Sequence, residues 1–87
     1  MAHIILTTGE MRVIEKEKLS LEFMQRTVGG YIQVVPLGGS TVLVCNEEGK
    51  LKGLPLNDKA TLLWEKVYGK TDIIVGNVII AKSNEID

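Results

Sequence analysis

The chain has one cysteine and one histidine in 87 residues, and this scarcity closes off several chemistries at once. A lone Cys45 excludes an intramolecular disulfide. A zinc site takes three or four His, Cys or carboxylate ligands, which His3 and Cys45 do not supply, so no metal is expected. Nucleophilic catalysis needs a nucleophile, a base and an orienting group. His3 stands near the chain start, and Cys45 ends an apolar segment, the usual setting of a buried, inert thiol. No catalytic residue and no cofactor is expected.

There is no excess of positive charge either. Ten Lys and Arg face eleven acidic residues, and the only arginines are Arg12 and Arg26. Duplex nucleic acid is bound by a basic stripe or excess, so it is not an expected partner. Long apolar runs are also missing. The longest, Ile73 to Ala81, is interrupted by Gly76-Asn77 and is too short for a membrane-spanning helix. No basic segment followed by an apolar stretch opens the chain, as a signal peptide would. The expected setting is the cytoplasm, without membrane association.

What is present is ordinary globular composition, 45% hydrophobic and 24% charged, enough for a single domain over residues 1–87. A domain this small without disulfides or metal is often stabilised by self-association, so a homo-oligomer is expected.

Residues 3–7 and 11–15 predict a hairpin around Thr8-Gly9-Glu10, with both faces of the second strand partly covered. Ser20 is an N-cap, with Leu19 and Met24 placed as a hydrophobic staple, and Gly29-Gly30 ends a helix over 20–28. Strands follow at 31–35, stopped by Pro36, and at 41–45. Asn46-Glu47-Glu48-Gly49 reads as a turn with Gly49 at positive φ, and 51–53 as a short return strand. Asn57 caps a second helix, along which Ala60, Leu63, Trp64, Val67 and Tyr68 form an apolar stripe up to Gly69. Residues 71–82 predict a long strand near the sheet centre, with a bulge at Gly76. Residues 83–87 are expected to fray. The fold class is α+β: a mainly antiparallel sheet of five to six strands with two helices packed on it, in the order ββαββ(β)αβ.

Few residues invite a functional reading. Glu47 and Glu48 are adjacent carboxylates, but turn neighbours point apart, which favours a solvated tip. The glycine pairs match no phosphate-loop pattern. Free amides at the start of the second helix could receive an anion beside Asn57, although Asp58 opposes this and capping alone is favoured. Asn77, within an apolar stretch, either bonds inside a bulge or faces a polar cavity. Trp64 and Tyr68, one turn apart, read as core; they would form a stacking platform for a base only if Trp64 is accessible.

Val28-Gly29-Gly30-Tyr31-Ile32-Gln33-Val34-Val35, then Asn46 through Asn57 with Ala60, and the late Gly76-Asn77-Val78, resemble a small domain-of-unknown-function family. That family is found in bacterial genomes, phages and mobile elements. The resemblance covers about residues 11–82. It departs from the pattern at Gln33, where an acidic residue is expected. It implies an accessory, phage-borne protein and no established activity.

The leading expectation is a non-enzymatic binder that captures a nucleotide-derived immune signal between subunits, as a phage anti-defence sponge. The candidate ligand residues are Arg12, Arg26, Tyr31, Asn57 and Asn77. The arginines would clamp phosphates, and Tyr31 would stack or hydrogen-bond. The alternatives are a module that inhibits a host protein, with 31–35 as an open sheet edge, and an enzyme of unrecognised type.

Overall fold

The four β-rich segments at 3–7, 11–15, 31–35 and 41–45 each hold a strand in the computed structural model, which describes residues 1–86. The elements run β1 (Ala2–Ile5), β2 (Met11–Ile14), α1 (Leu21–Val28), β3 (Ile32–Pro36), β4 (Thr41–Asn46), α2 (Asp58–Tyr68) and β5 (Val78–Lys82), followed by a 3₁₀ turn at Ser83–Glu85. The five strands form one sheet in the order β2-β1-β5-β4-β3. All neighbours are antiparallel. The last strand is therefore the central one, and β2 and β3 are the edges.

Side chains alternate across the sheet with the period of two that strand geometry imposes. Along β4, Val42 and Val44 point to one face and Leu43 and Cys45 to the other. Helix α1 covers the first face, placing Met24 and Val28 against Ala2, Ile14, Val44, Ile79 and Ala81. Helix α2 covers the second, placing Ala60, Leu63 and Trp64 against Ile5, Leu43, Cys45 and Val78. The sheet thus lies between its two helices. Both helices begin as the sequence predicts. The Ser20 hydroxyl accepts from Phe23 N at 3.1 Å, and Asn57 Oδ1 accepts from Ala60 N at 3.1 Å. Leu19 and Met24 are both fully buried in the first core.

Five local expectations are corrected. Residues 51–53 form no strand; they turn tightly, with Lys52 N donating to Glu48 O and Gly53 N to Lys50 O. Only the second half of 71–82 is strand. Gly76 has φ +78° and turns the chain, so Ile74 packs under α2 while Val78 enters the sheet. The apolar run reads as continuous because both halves are covered, by different neighbours. Gly49 is not at positive φ. It is needed for space, since a Cβ there would sit 2.8 Å from Val75 Cγ2. Strand β2 is exposed except at Ile14, the one β2 residue that packs into the α1-side core. Residues 83–86 do not fray: Leu19 N donates to Glu85 O at 2.7 Å, and Lys82 N donates to Glu85 Oε1 at 2.8 Å. Asp87 lies outside the described residues.

Candidate functional site

The α2 face of the sheet is not fully closed. Near the β3 edge the helix leaves a cleft of about 140 Å³. Its apolar surface comes from Val35, Cys45, Trp64 and Ile74, and its polar rim from Gln33, Glu47, Glu48, Lys50 and Asp72. Three separate segments converge there: the β3–β4 edge, the turn after β4, and the stretch before Gly76.

The turn is held by its own first residue. Buried Asn46 donates from Nδ2 to Val28 O at 3.1 Å and accepts Glu48 N on Oδ1 at 2.8 Å. It thereby caps a carbonyl at the end of α1 and fixes the start of the turn. Glu47 N donates to Tyr31 O, and Leu54 N to Gly49 O. The opposite wall is tied to this turn by a Lys50–Asp72 ion pair. Asp72 also accepts Ile73 N at 2.8 Å. The hydrogen bond from Lys50, and then that from Ile73 N, hold the Asp72 carboxyl below the usual carboxylate range.

Trp64 is half-buried, with its ring forming one wall. Its Nε1 donates to Thr71 Oγ1 at 3.1 Å, and its ring centroid lies 4.3 Å from that of Tyr68 at a 35° tilt. The indole is therefore both positioned and partly open. At the base of the cleft Cys45 is 6% exposed. Burial pushes its thiol pKa up, and the nearby Lys50 charge only partly opposes this. His3, on β1, is separated from Cys45, on β4, by the central strand, so the two form no nucleophile–base pair. Among the described residues, no three His, Cys, Asp or Glu side chains cluster to hold a metal ion. No helix among them is long and apolar enough to cross a membrane.

The structure does not bring the five sequence-derived candidates together. Arg12 lies on β2, at the opposite sheet edge, where Glu10 pairs with it at 2.7 Å. Arg26 is exposed in the last turn of α1, on the other face. Asn57 is buried, with its amide donating to Ile5 O at 3.0 Å and Gly76 O at 2.9 Å. Asn77 Oδ1 accepts Thr7 N at 3.0 Å. Both asparagines thus close the seam where the β1–β5 ladder stops, after Ile5 and Val78. Tyr31 is different: it is 66% exposed and lines a second hollow with Gln25, Gly30, Glu48 and Lys52. Glu48 is common to both concavities.

Gln33, Lys50 and Asp72 belong to the cleft but were not candidates from sequence. Nothing local marks them, since each is placed by a different segment. Of the pair read as core, Trp64 packs against the second core but is only half-buried, and Tyr68 is exposed.

No curated protein and no solved structure matches the chain. A family model does match, over residues 1–87, and it describes a domain of unknown function. The chain accordingly belongs to the DUF3846 family.

Proposed function

We propose that the protein is a non-enzymatic binder of a nucleotide-derived small molecule, whose base stacks on Trp64 in the cleft. The observation that carries this reading is the indole itself: half-open, held by Thr71 and Tyr68, and facing a cleft with an amide at its rim. Stacking on an aromatic side chain contributes about 1–3 kcal/mol per base, and the Gln33 amide offers both donor and acceptor to a base edge. The size fits a ring system. At 140 Å³ the cleft is well below the roughly 300–1,000 Å³ of sites that enclose a whole ligand.

Electrostatics decide which part of the ligand enters. Three carboxylates, Glu47, Glu48 and Asp72, surround the single Lys50, which is already paired. A phosphate would be repelled there. Phosphates therefore stay outside the cleft, where Lys52 in the adjoining hollow offsets the shared Glu48. Arg12 and Arg26 clamp nothing within this chain's cleft, because they lie on other surfaces. The buried thiol and the separation of Cys45 from His3 support binding without turnover. In a phage-borne protein, such binding would remove a nucleotide immune signal from the host cytoplasm, as a sponge does.

Calorimetry against cyclic di- and trinucleotides and ADP-ribose derivatives tests this. The expected result is saturable heat with one class, weakened about 10- to 100-fold by Trp64→Leu, as loss of one stacking contact implies. Absence of heat with every class, from protein whose fold is verified by circular dichroism, contradicts it. A second reading, inhibition of a host factor, is favoured by one observation: among the described residues β3 pairs only with β4, on one side. A pull-down that returns one stoichiometric protein and no small molecule would favour it.

A further inference from the structure

The open edge of β3 has an unusual pattern of available backbone groups. Tyr31 O accepts Glu47 N at 2.8 Å, and Leu37 N donates to Thr41 O at 2.9 Å. These two bonds set the phase of the β3–β4 ladder: odd residues turn their N–H and C=O to β4, and Ile32, Val34 and Pro36 turn theirs outward. Pro36 has no N–H, and its carbonyl accepts the Tyr68 hydroxyl at 2.5 Å. At the other end, Gly30 N is committed to Gln25 O. Ile32 and Val34 are left, with four outward groups that have no partner among the described residues.

We propose that this edge pairs with the β3 edge of a second copy, forming a two-fold dimer with a continuous ten-stranded sheet. In an antiparallel, symmetric pairing, Ile32 of one chain faces Val34 of the partner subunit and the reverse, and all four groups on each chain are bonded. A shift in either direction brings Pro36 or Gly30 into the ladder and loses bonds. The favoured register is therefore unique. Its centre sets Gln33 opposite Gln33 of the partner subunit, in a non-hydrogen-bonded pair where side chains lie closest. Two neutral amides there bond to each other.

The composition of the edge agrees. Residues 31–36 carry no charge, and Val34 is 44% exposed. Monomeric proteins usually protect such an edge with charged residues. Strand β2 shows the contrast. The β1–β2 ladder continues through Leu6 N to Glu10 O, so Met11 and Val13 face outward. The equivalent symmetric pairing would be centred on Arg12 and would oppose two guanidinium groups, which is destabilising.

A two-fold axis normal to the sheet keeps both α2 helices on the same side. Gln33 lines the Trp64 cleft, so the partner subunit's Gln33 would stand at its rim, and the two clefts would flank the axis. This last step alone rests on the ligand reading above; the dimer does not.

Sedimentation equilibrium of the full chain without nucleotide tests the pairing. The expected species has twice the 9.6 kDa chain mass. Gln33→Glu places two carboxylates face to face, and should weaken dimerisation about tenfold or more at neutral pH, with recovery as they protonate in acid. Val34→Pro removes one required N–H per subunit and spares the β3–β4 bonds, which come from odd residues; it should yield monomer. Should Val34→Pro fail to fold, Gln33→Glu and hydrogen exchange decide, with the Ile32 and Val34 amides protected in wild type and released in Gln33→Glu. A wild-type monomer, a dimer indifferent to both variants, or growth into open polymers (the product of β2–β3 pairing) each overturns the proposal. Dimer without nucleotide binding would leave it standing and remove only the ligand reading.

Discussion

Asn57 shows how much one buried side chain can join. Its Oδ1 caps α2, and its Nδ2 bonds carbonyls at the end of β1 and at the Gly76 turn. Replacement by Ala removes all three bonds at once. Asn57→Ala should lower unfolding free energy by about 3 kcal/mol, measured by urea denaturation, the sum of a lost cap and two lost buried hydrogen bonds. A loss within experimental error of zero would refute this role. The cap was legible in the sequence because an N-cap is local. The bonds to Ile5 and Gly76 were not, since they join residues distant in sequence. Gly49 teaches the same lesson. Its position after two glutamates suggests a turn φ, whereas its real constraint is Val75 beyond the turn. Gly49→Ala should therefore destabilise by about 1–3 kcal/mol through overpacking, and Val75→Ala in the same chain should recover part of that loss. Cys45 should react with a thiol reagent at neutral pH far more slowly than in urea-unfolded protein, because burial both shields it and disfavours the thiolate.

Among the elements, the segment before β5 is where sequence and structure diverge most. Ile73 to Ala81 has the composition of one buried strand, and period alone cannot divide it. The Gly76 turn does so, and with it the wall of the cleft comes into being. The Lys50–Asp72 pair then spans the opening. The Asp72 carboxyl titrates below its unfolded value, so its contribution is fully present above that value and is lost as pH falls through the folded one, below about pH 4. Both partners are well exposed, which limits the effect to about 0.5 kcal/mol. Thermal melts of wild type and Asp72→Asn should differ slightly at neutral pH and converge in strong acid. Curves that instead diverge on acidification would show the sign to be wrong. The first four strands, both caps and the central place of β5 were legible, because each follows from local pattern or from near-continuous apolar composition. The meeting of Gln33, Lys50, Trp64 and Asp72 was not, because it depends on how α2 crosses the sheet.

At the scale of the whole molecule, among the described residues, one helix on each face of a five-stranded sheet leaves β2 and β3 as edges and a cleft beside β3. The charged edge resists self-pairing, the neutral edge permits it, and the cleft lies beside the neutral one. This arrangement leaves Trp64 packed on the second core and partly exposed to the cleft. Trp64 is also the only tryptophan, so its emission reports on the cleft alone. Titrating the wild-type protein with the cyclic nucleotides and ADP-ribose derivatives while following that emission is the most direct test. Saturable quenching is predicted with one class and none with inorganic phosphate. Emission unchanged by every base-containing ligand, or quenched equally by phosphate alone, would contradict it.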